Sequence, residues 1–286
     1  MHQRLEHNEM DCLSWERDNG RRAMKTISKN SLARTAALAL TYLLAAATLR
    51  AAEIKVVTSG AFTAAFLELG PEYERATHDK LVTEFGPSMG KTHNAIPIRL
   101  ARGEAIDVVI MAGPALTDLI GQGKVRADSR VDLVRSKIGM AVKAGAPKPD
   151  ISTVDALKST LLAAKSIGFS DSASGVYLST ELFSKLGVAD QIRGKMRKIE
   201  ADPVGERVAN GEVEIGFQQI SELRPVKGID IVGELPPGAQ RVIVFAAGIP
   251  VMSKQPEAAK KLIEWLASTA AYPTIKRTGL EPAKSK

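Results

Sequence analysis

Three serines crowd one short loop. Ser170, Ser172 and Ser174 follow the apolar run 166–169 and precede a helical pattern carrying Val176, Leu178, Leu182, Phe183 and Leu186, which stops at Gly187. Ser172 and Ser174 stand where helix N-caps stand. The first N–H groups of a helix lack intrahelical partners, and the helix dipole favours negative charge there. Hydroxyls beside them therefore offer a site for an anion. Ordinary capping of an ordinary helix is the alternative reading. Four further loops have the same polar, small-residue character: Thr58-Ser59-Gly60-Ala61, residues 86–94, Asp202-Pro203-Val204-Gly205 and Gln218-Gln219-Ile220-Ser221. Each alone is turn chemistry. Together, at strand and helix ends of an open α/β sheet, they make an anion site built from neutral donors.

The loop 86–94 also holds Ser88, Lys91, Thr92 and His93. Lys91 offers a cation for a carboxylate, and His93 offers a group that exchanges protons near neutral pH. Solvated side chains on a loop are the plain alternative for both. The spacing Gly86-x-x-x-Gly90-Lys91-Thr92 resembles a phosphate-binding P-loop but has three residues between the glycines where four are needed, with Phe85 where the first glycine should stand. This excludes a nucleoside triphosphatase.

The 286-residue chain carries a formal charge of +7 and one cysteine, Cys12. Residues 24–34 are basic and 35–49 are apolar, a stretch too short for a comfortable membrane span and suited to a secretory signal. Cleavage is expected after Ala51 or Ala52, and residues 1–23 are expected to be an over-extended start. Beyond residue 52 the net charge falls to +4, Cys12 is gone, and His78 and His93 are the remaining histidines. Disulfide and thiol chemistry are thereby excluded, and no His, Cys or carboxylate cluster has metal-ligand spacing, so no metal or other cofactor is expected. No dense Lys/Arg block with interleaved aromatics points to nucleic acid. A mild positive balance suits a small anionic ligand.

These loops need strands and helices to hold them. Apolar runs predict strands at 54–58, 81–85, 106–111, 138–142, 166–169, 196–199, 214–219, 229–232 and 241–247. Helical patterns lie between them: one from Phe62 through Phe66 and Leu69, then 116–122, 153–164, 175–186, 206–210 and 256–268. Alternation of this kind is an α/β class.

The segments Thr58-Ser59-Gly60-Ala61-Phe62-Thr63, 102–110, 174–177 with the helix end 185–187, and 215–219 resemble the molybdate-binding-protein-like group of periplasmic solute-binding proteins, type II, over residues 53–286. The resemblance implies a two-lobed fold, each lobe a mixed sheet flanked by helices, with residues 53–136 plus 241–286 as lobe one and 137–240 as lobe two. It implies a small anionic ligand closed between the lobes, a monomer, and an inner-membrane ABC permease as partner. In molybdate binders a first-loop serine donates to the oxyanion; here that position is Ala61, with Ser59 beside it. The second-loop serine falls near Ser88, Thr92 or His93, the backbone near Val204 can match a donor, and a tyrosine is replaced by Gln219. Missing hydroxyls leave a tetrahedral oxyanion under-satisfied, whereas amides and Lys91 suit a di- or tricarboxylate. The runs 88–97, 170–177 and 216–222 are similar to a branch that includes bacterial aconitate isomerase. That resemblance implies an alternative to uptake: a cofactor-independent allylic proton shift, for which His93, Lys91 and Tyr177 are the candidate proton carriers. The expected ligand residues are Ser59, Gly60, Ala61, Ser88, Lys91, Thr92, Ser172, Ser174, Tyr177, Val204 and Gln219.

Overall fold

A computed structural model describes residues 51–200 and 202–283. The expected leader through Arg50 and the expected early start lie outside the described residues. The strands in chain order are β1 (Glu53–Thr58), β2 (Lys80–Phe85), β3 (Val108–Ala112), β4 (Val131–Ser136), β5 (Ile138–Lys143), β6 (Ile167–Ser170), β7 (Met196–Ile199), β8 (Ile215–Gln219), β9 (Ile229–Glu234), β10 (Ile243–Gly248) and β11 (Glu281–Pro282). They form two mixed sheets, ordered β11-β4-β10-β3-β1-β2 and β7-β6-β8-β5-β9. Helices that bear on the site are α1 (Gly60–Thr77), α2 (Ala173–Tyr177), α3 (Val204–Ala209), α4 (Ile220–Leu223) and α5 (Pro256–Ala267).

Several elements follow directly from their apolar patterns. On α5, Ala259, Leu262, Ile263 and Leu266 recur at helical spacing and are buried, with Pro256 in the first turn where its missing N–H matters least. β3 is buried at all five positions, as a strand covered on both faces should be. β4 has no counterpart among the predicted strands. Its exposed Asp132 and Arg135 flank buried Leu133 and Val134, so its apolar run is cut to two residues. The helix expected over 175–186 is one path with a defect. α2 passes into a wide π-helical turn, Leu178–Leu182, before Phe183–Lys185. Ser179 and Thr180 donate their hydroxyls back to the carbonyls of Gly175 and Val176, at 2.8 and 2.7 Å, a bonding habit that loosens a helix.

Register sets the strand ends side by side. Thr58 lies opposite both Phe85 and Ile110 in parallel pairings, so the loops after β1, β2 and β3 leave one edge of the first sheet together. In the second sheet Phe169 lies opposite Phe217 and Ser170 opposite Ile199, which brings the ends of β6, β7 and β8 together. The chain passes between the sheets twice: through Lys137 between β4 and β5, and through residues 235–242 between β9 and β10. One side chain braces both passages. The Gln240 amide accepts from Ile138 N at 3.0 Å and donates to Ile138 O at 2.9 Å. Lys137 Nζ reaches Glu234 of the second sheet and Glu281 of the first, each at 3.1 Å.

Candidate functional site

The loops from the two sheet edges enclose a cavity of about 550 Å³. β1 delivers Ser59 and the start of α1, β6 delivers 170–174, and β8 delivers Gln218, Gln219 and α4. Leu67, Phe85 and Phe245 supply apolar wall. Close packing shapes the loop 170–174: a methyl group on Gly175 would lie 1.6 Å from Ser170 O, so a glycine is obligatory there.

Ser59 is 2% exposed, Gln219 1% and Ser221 1%. Among the described residues, Ser59 Oγ, both side-chain polar atoms of Gln219 and Ser221 Oγ make no hydrogen bond with protein, and all three side chains line the cavity. A buried polar atom left without a partner costs about 1–3 kcal/mol. Three such side chains at one cavity form a set of donors and acceptors held ready for a polar guest. Ser172 adds to it. It occupies the N-cap position of α2 yet makes no side-chain capping bond. Ser174 bonds its neighbour Ser170, Oγ to Oγ, at 3.2 Å.

Glu222 on α4 brings a half-buried carboxyl to the cavity wall. A methyl group on Gly60 would lie 2.2 Å from Glu222 Oε2, so Gly60 makes room for the carboxyl at the first turn of α1. Gln218 holds the same oxygen, donating from Nε2 at 2.6 Å, while Gln218 Oε1 accepts from Val204 N at 2.9 Å. Burial pushes the Glu222 carboxyl up to about 7, and the Gln218 bond opposes that rise. Among the lining residues, Asp171, Asp202, Glu206 and Glu222 are acidic and Lys227 is the basic one. Asp202 is paired with Arg207.

The structure gathers some expected residues and separates others. Ser59, Gly60, Ala61, Ser172, Ser174 and Gln219 line this cavity. Lys91 and Thr92 line an adjoining one of about 500 Å³ with Lys198 and Glu200, and the two cavities share Ser170 and Asp171. Thr92 Oγ1 is buried there without a protein partner among the described residues. Ser88 is fully buried, its hydroxyl accepting from Ala112 N at 2.9 Å, so it orders the end of β3. The Val204 N–H is taken by Gln218. Tyr177 lies in the core, its hydroxyl donating to Ala239 O at 2.9 Å and its ring 4.0 Å beneath the Arg241 guanidinium. Burial raises the Tyr177 phenol. His93 is exposed and lines neither cavity; its carbonyl accepts from Arg102 at 2.7 Å. The residue that sequence reasoning missed is Glu222. Its only local signal was a glutamate four positions after Gln218, which on a helix reads as a solvated pair.

The chain is 49% identical over 233 residues to the aconitate isomerase of a Pseudomonas species, covering 82% of this chain and 89% of that protein. It is 25% identical over 241 residues to the molybdate-binding protein ModA of Azotobacter vinelandii, covering 80% and 90%. The solved structure of the Azotobacter vinelandii periplasmic molybdate-binding protein shares the fold, with TM-score 0.64 and 22% identity over 82% of this chain and all of that one. So does the sulfate-binding protein SubI of Mycobacterium tuberculosis, with TM-score 0.64 and 16% identity over 82% and 88%. The fold is thus shared with these proteins. Over residues 54–281 the sequence matches the profile of the bacterial extracellular solute-binding proteins, and the chain belongs to that family.

Proposed function

We infer that this chain is an isomerase of an unsaturated polycarboxylate, aconitate above all, built on a solute-binding fold and working in the periplasm as a monomer without a cofactor. The observation that carries this reading is the 49% identity to an aconitate isomerase across 89% of that protein. The site agrees with it. Buried hydroxyl and amide groups at Ser59, Gln219 and Ser221 offer hydrogen bonds to carboxylate oxygens, and the apolar wall of Leu67, Phe85 and Phe245 suits a short carbon skeleton. Lys91 in the adjoining cavity suits a further carboxylate, while Lys198 there is paired with Glu200. In this reading lobe one (53–136 with 241–286) and lobe two (137–240) close on the substrate by rotating about Lys137 and residues 235–242. Capture of the same carboxylate for uptake through an inner-membrane ABC permease is the second reading, and family membership favours it.

Proton NMR of trans-aconitate with the purified protein separates the two. Appearance of cis-aconitate supports the isomerase. Broadened ligand signals without conversion support capture for uptake. Sharp, unchanged signals remove aconitate from both.

A further inference from the structure

Isomerising an allylic acid takes one group that removes a proton from the methylene carbon and returns it to the former vinyl carbon. We propose that Glu222 is this catalytic base and that its Oε1 carries the proton. The proposal rests on the isomerase reading and adds the group that performs the step.

The argument is geometric. The Val204 N–H can only donate, so it fixes the Gln218 amide with its oxygen toward α3 and its NH₂ toward Glu222. Glu222 Oε2 is thereby always an acceptor, and it is pressed against the first turn of α1 at Gly60. A proton on the carboxyl is favoured on Oε1, which leaves the better acceptor oxygen to Gln218 and keeps the crowded Oε2 bare. The pinned oxygen orients the group and the other exchanges the proton. Other candidates are placed less well. His93 is exposed and outside the cavities, Tyr177 directs its hydroxyl at Ala239 O, and Lys91 lines the adjoining cavity. Of the other lining carboxylates, Asp202 pairs with Arg207, Glu206 is exposed, and Asp171, which lines both cavities, acts on Lys198.

In the step, Glu222 Oε1 accepts one proton from the substrate methylene. The C–H electron pair delocalises over the three-carbon unit onto a carboxylate oxygen, toward which Ser59, Ser221 and the Gln219 amide can donate. Glu222 Oε1 then delivers a proton, either the one it removed or one exchanged with solvent, to the opposite terminal carbon. The double bond has moved, its geometry is free to change, and no proton or electron is gained or lost.

Burial keeps the carboxyl near neutrality, so it can both accept and release a proton. The groups that face it are few. α1 presents Gly60, Ala61, Thr63, Ala64 and Leu67, all uncharged; the lining charges are Asp171, Asp202, Glu206 and Lys227; and Arg224 turns away to Arg277 O at 3.0 Å. Ionised Glu222 is the active base, so the rate is expected to climb with pH and level off above about 7.

The test compares the full-length protein with Glu222→Gln and Glu222→Asp. Conversion of trans-aconitate and deuterium uptake from D₂O are followed by NMR across pH 5.5–8.5, with aconitate affinity from calorimetry. Glu222→Gln should lower conversion and deuterium uptake at least roughly 100-fold while affinity changes by less than about threefold. Glu222→Asp should restore part of the rate with its acid limb displaced, which a purely structural glutamate would not do. Wild-type conversion retained in a folded, aconitate-binding Glu222→Gln protein would overturn the assignment while leaving the isomerase reading intact. A wild-type protein that binds aconitate without conversion or exchange would overturn both.

Discussion

Two buried polar constellations in this molecule have opposite fates. Asp107, at the entry to β3, is 5% exposed and fully engaged. One oxygen accepts from Lys55 N at 2.9 Å, the other from Ser253 Oγ at 2.8 Å, Lys254 N at 2.9 Å and Gln255 N at 3.0 Å. It ties the edge of β1 to the start of α5. Across the molecule Ser59, Gln219 and Ser221 are at least as deeply buried, yet their side chains make no hydrogen bond with described protein groups. The first constellation satisfies itself and holds the fold. The second is completed by whatever enters the cavity. Burial of polar side chains does not by itself mark a site; Ser59, Gln219 and Ser221 combine burial without internal partners with a place on the cavity wall, whereas Ser136 Oγ is buried without a partner away from both cavities.

The largest effect should come from breaking the satisfied constellation. Asp107→Ala takes the acceptor from Lys55 N, Lys254 N and the Ser253 hydroxyl and leaves Gln255 N only its 3.2 Å bond to Ser253 Oγ, and it should destabilise the protein by about 3–5 kcal/mol. For a chain of this size that is a fall in Tm of roughly 6–20 °C. Thermal denaturation checks it, and aconitate affinity measured well below the transition should be unchanged. A small Tm change would mean that Asp107 is a bystander and that the contrast with the cleft is empty.

That contrast also explains what could be read in the sequence. β3 was legible because all five of its positions are apolar and buried, and β1, β5 and β8 because buried apolar residues dominate them despite Lys55, Lys143 and Gln218–Gln219. β4 was not legible, because Asp132 and Arg135 interrupt it on either side of its two-residue apolar stretch. In the site, Ser59, Gly60, Ala61, Ser172, Ser174 and Gln219 could be named because loop chemistry at strand ends is local information. Glu222 could not. Its surroundings come from α1, some 160 residues earlier in the chain, and nothing adjacent to it announces that Gly60 will close over it. Lys91 and Thr92 were legible as polar loop residues, but which of two cavities they line depends on how that loop crosses Asp171.

A second effect should appear when the unsatisfied constellation is made apolar. Gln219→Leu keeps the side chain's approximate volume and removes two buried polar atoms that have no protein partner. Stability should stay level or rise, while aconitate affinity falls roughly 10- to 100-fold, equivalent to about 1.4–2.8 kcal/mol. Calorimetric titration beside a melting curve reads both quantities. A marked loss of stability with affinity intact would turn Gln219 into a structural residue.

The smallest effect gives the sharpest comparison, because one chemical change is made at both constellations. Ser253→Ala removes a hydroxyl that donates to Asp107, and Ser59→Ala removes a hydroxyl that bonds nothing in the described protein. The deleted atom is identical, so side-chain entropy and the lost methylene–hydroxyl contrast largely cancel between the two variants. Ser253→Ala should lower stability by about 1 kcal/mol, a shift of roughly 2–4 °C, with affinity unchanged. Ser59→Ala should leave Tm level or slightly higher, since an uncompensated buried hydroxyl is removed, and should weaken aconitate roughly fivefold, about 1 kcal/mol. Crossed outcomes, with affinity lost at Ser253 and stability lost at Ser59, would show that the division between fold-holding and ligand-awaiting groups is misdrawn. Parallel losses at both would show that closure of the cavity and integrity of the fold are one property, with Ser59 acting through the seating of α1 on β1 rather than through contact with the ligand.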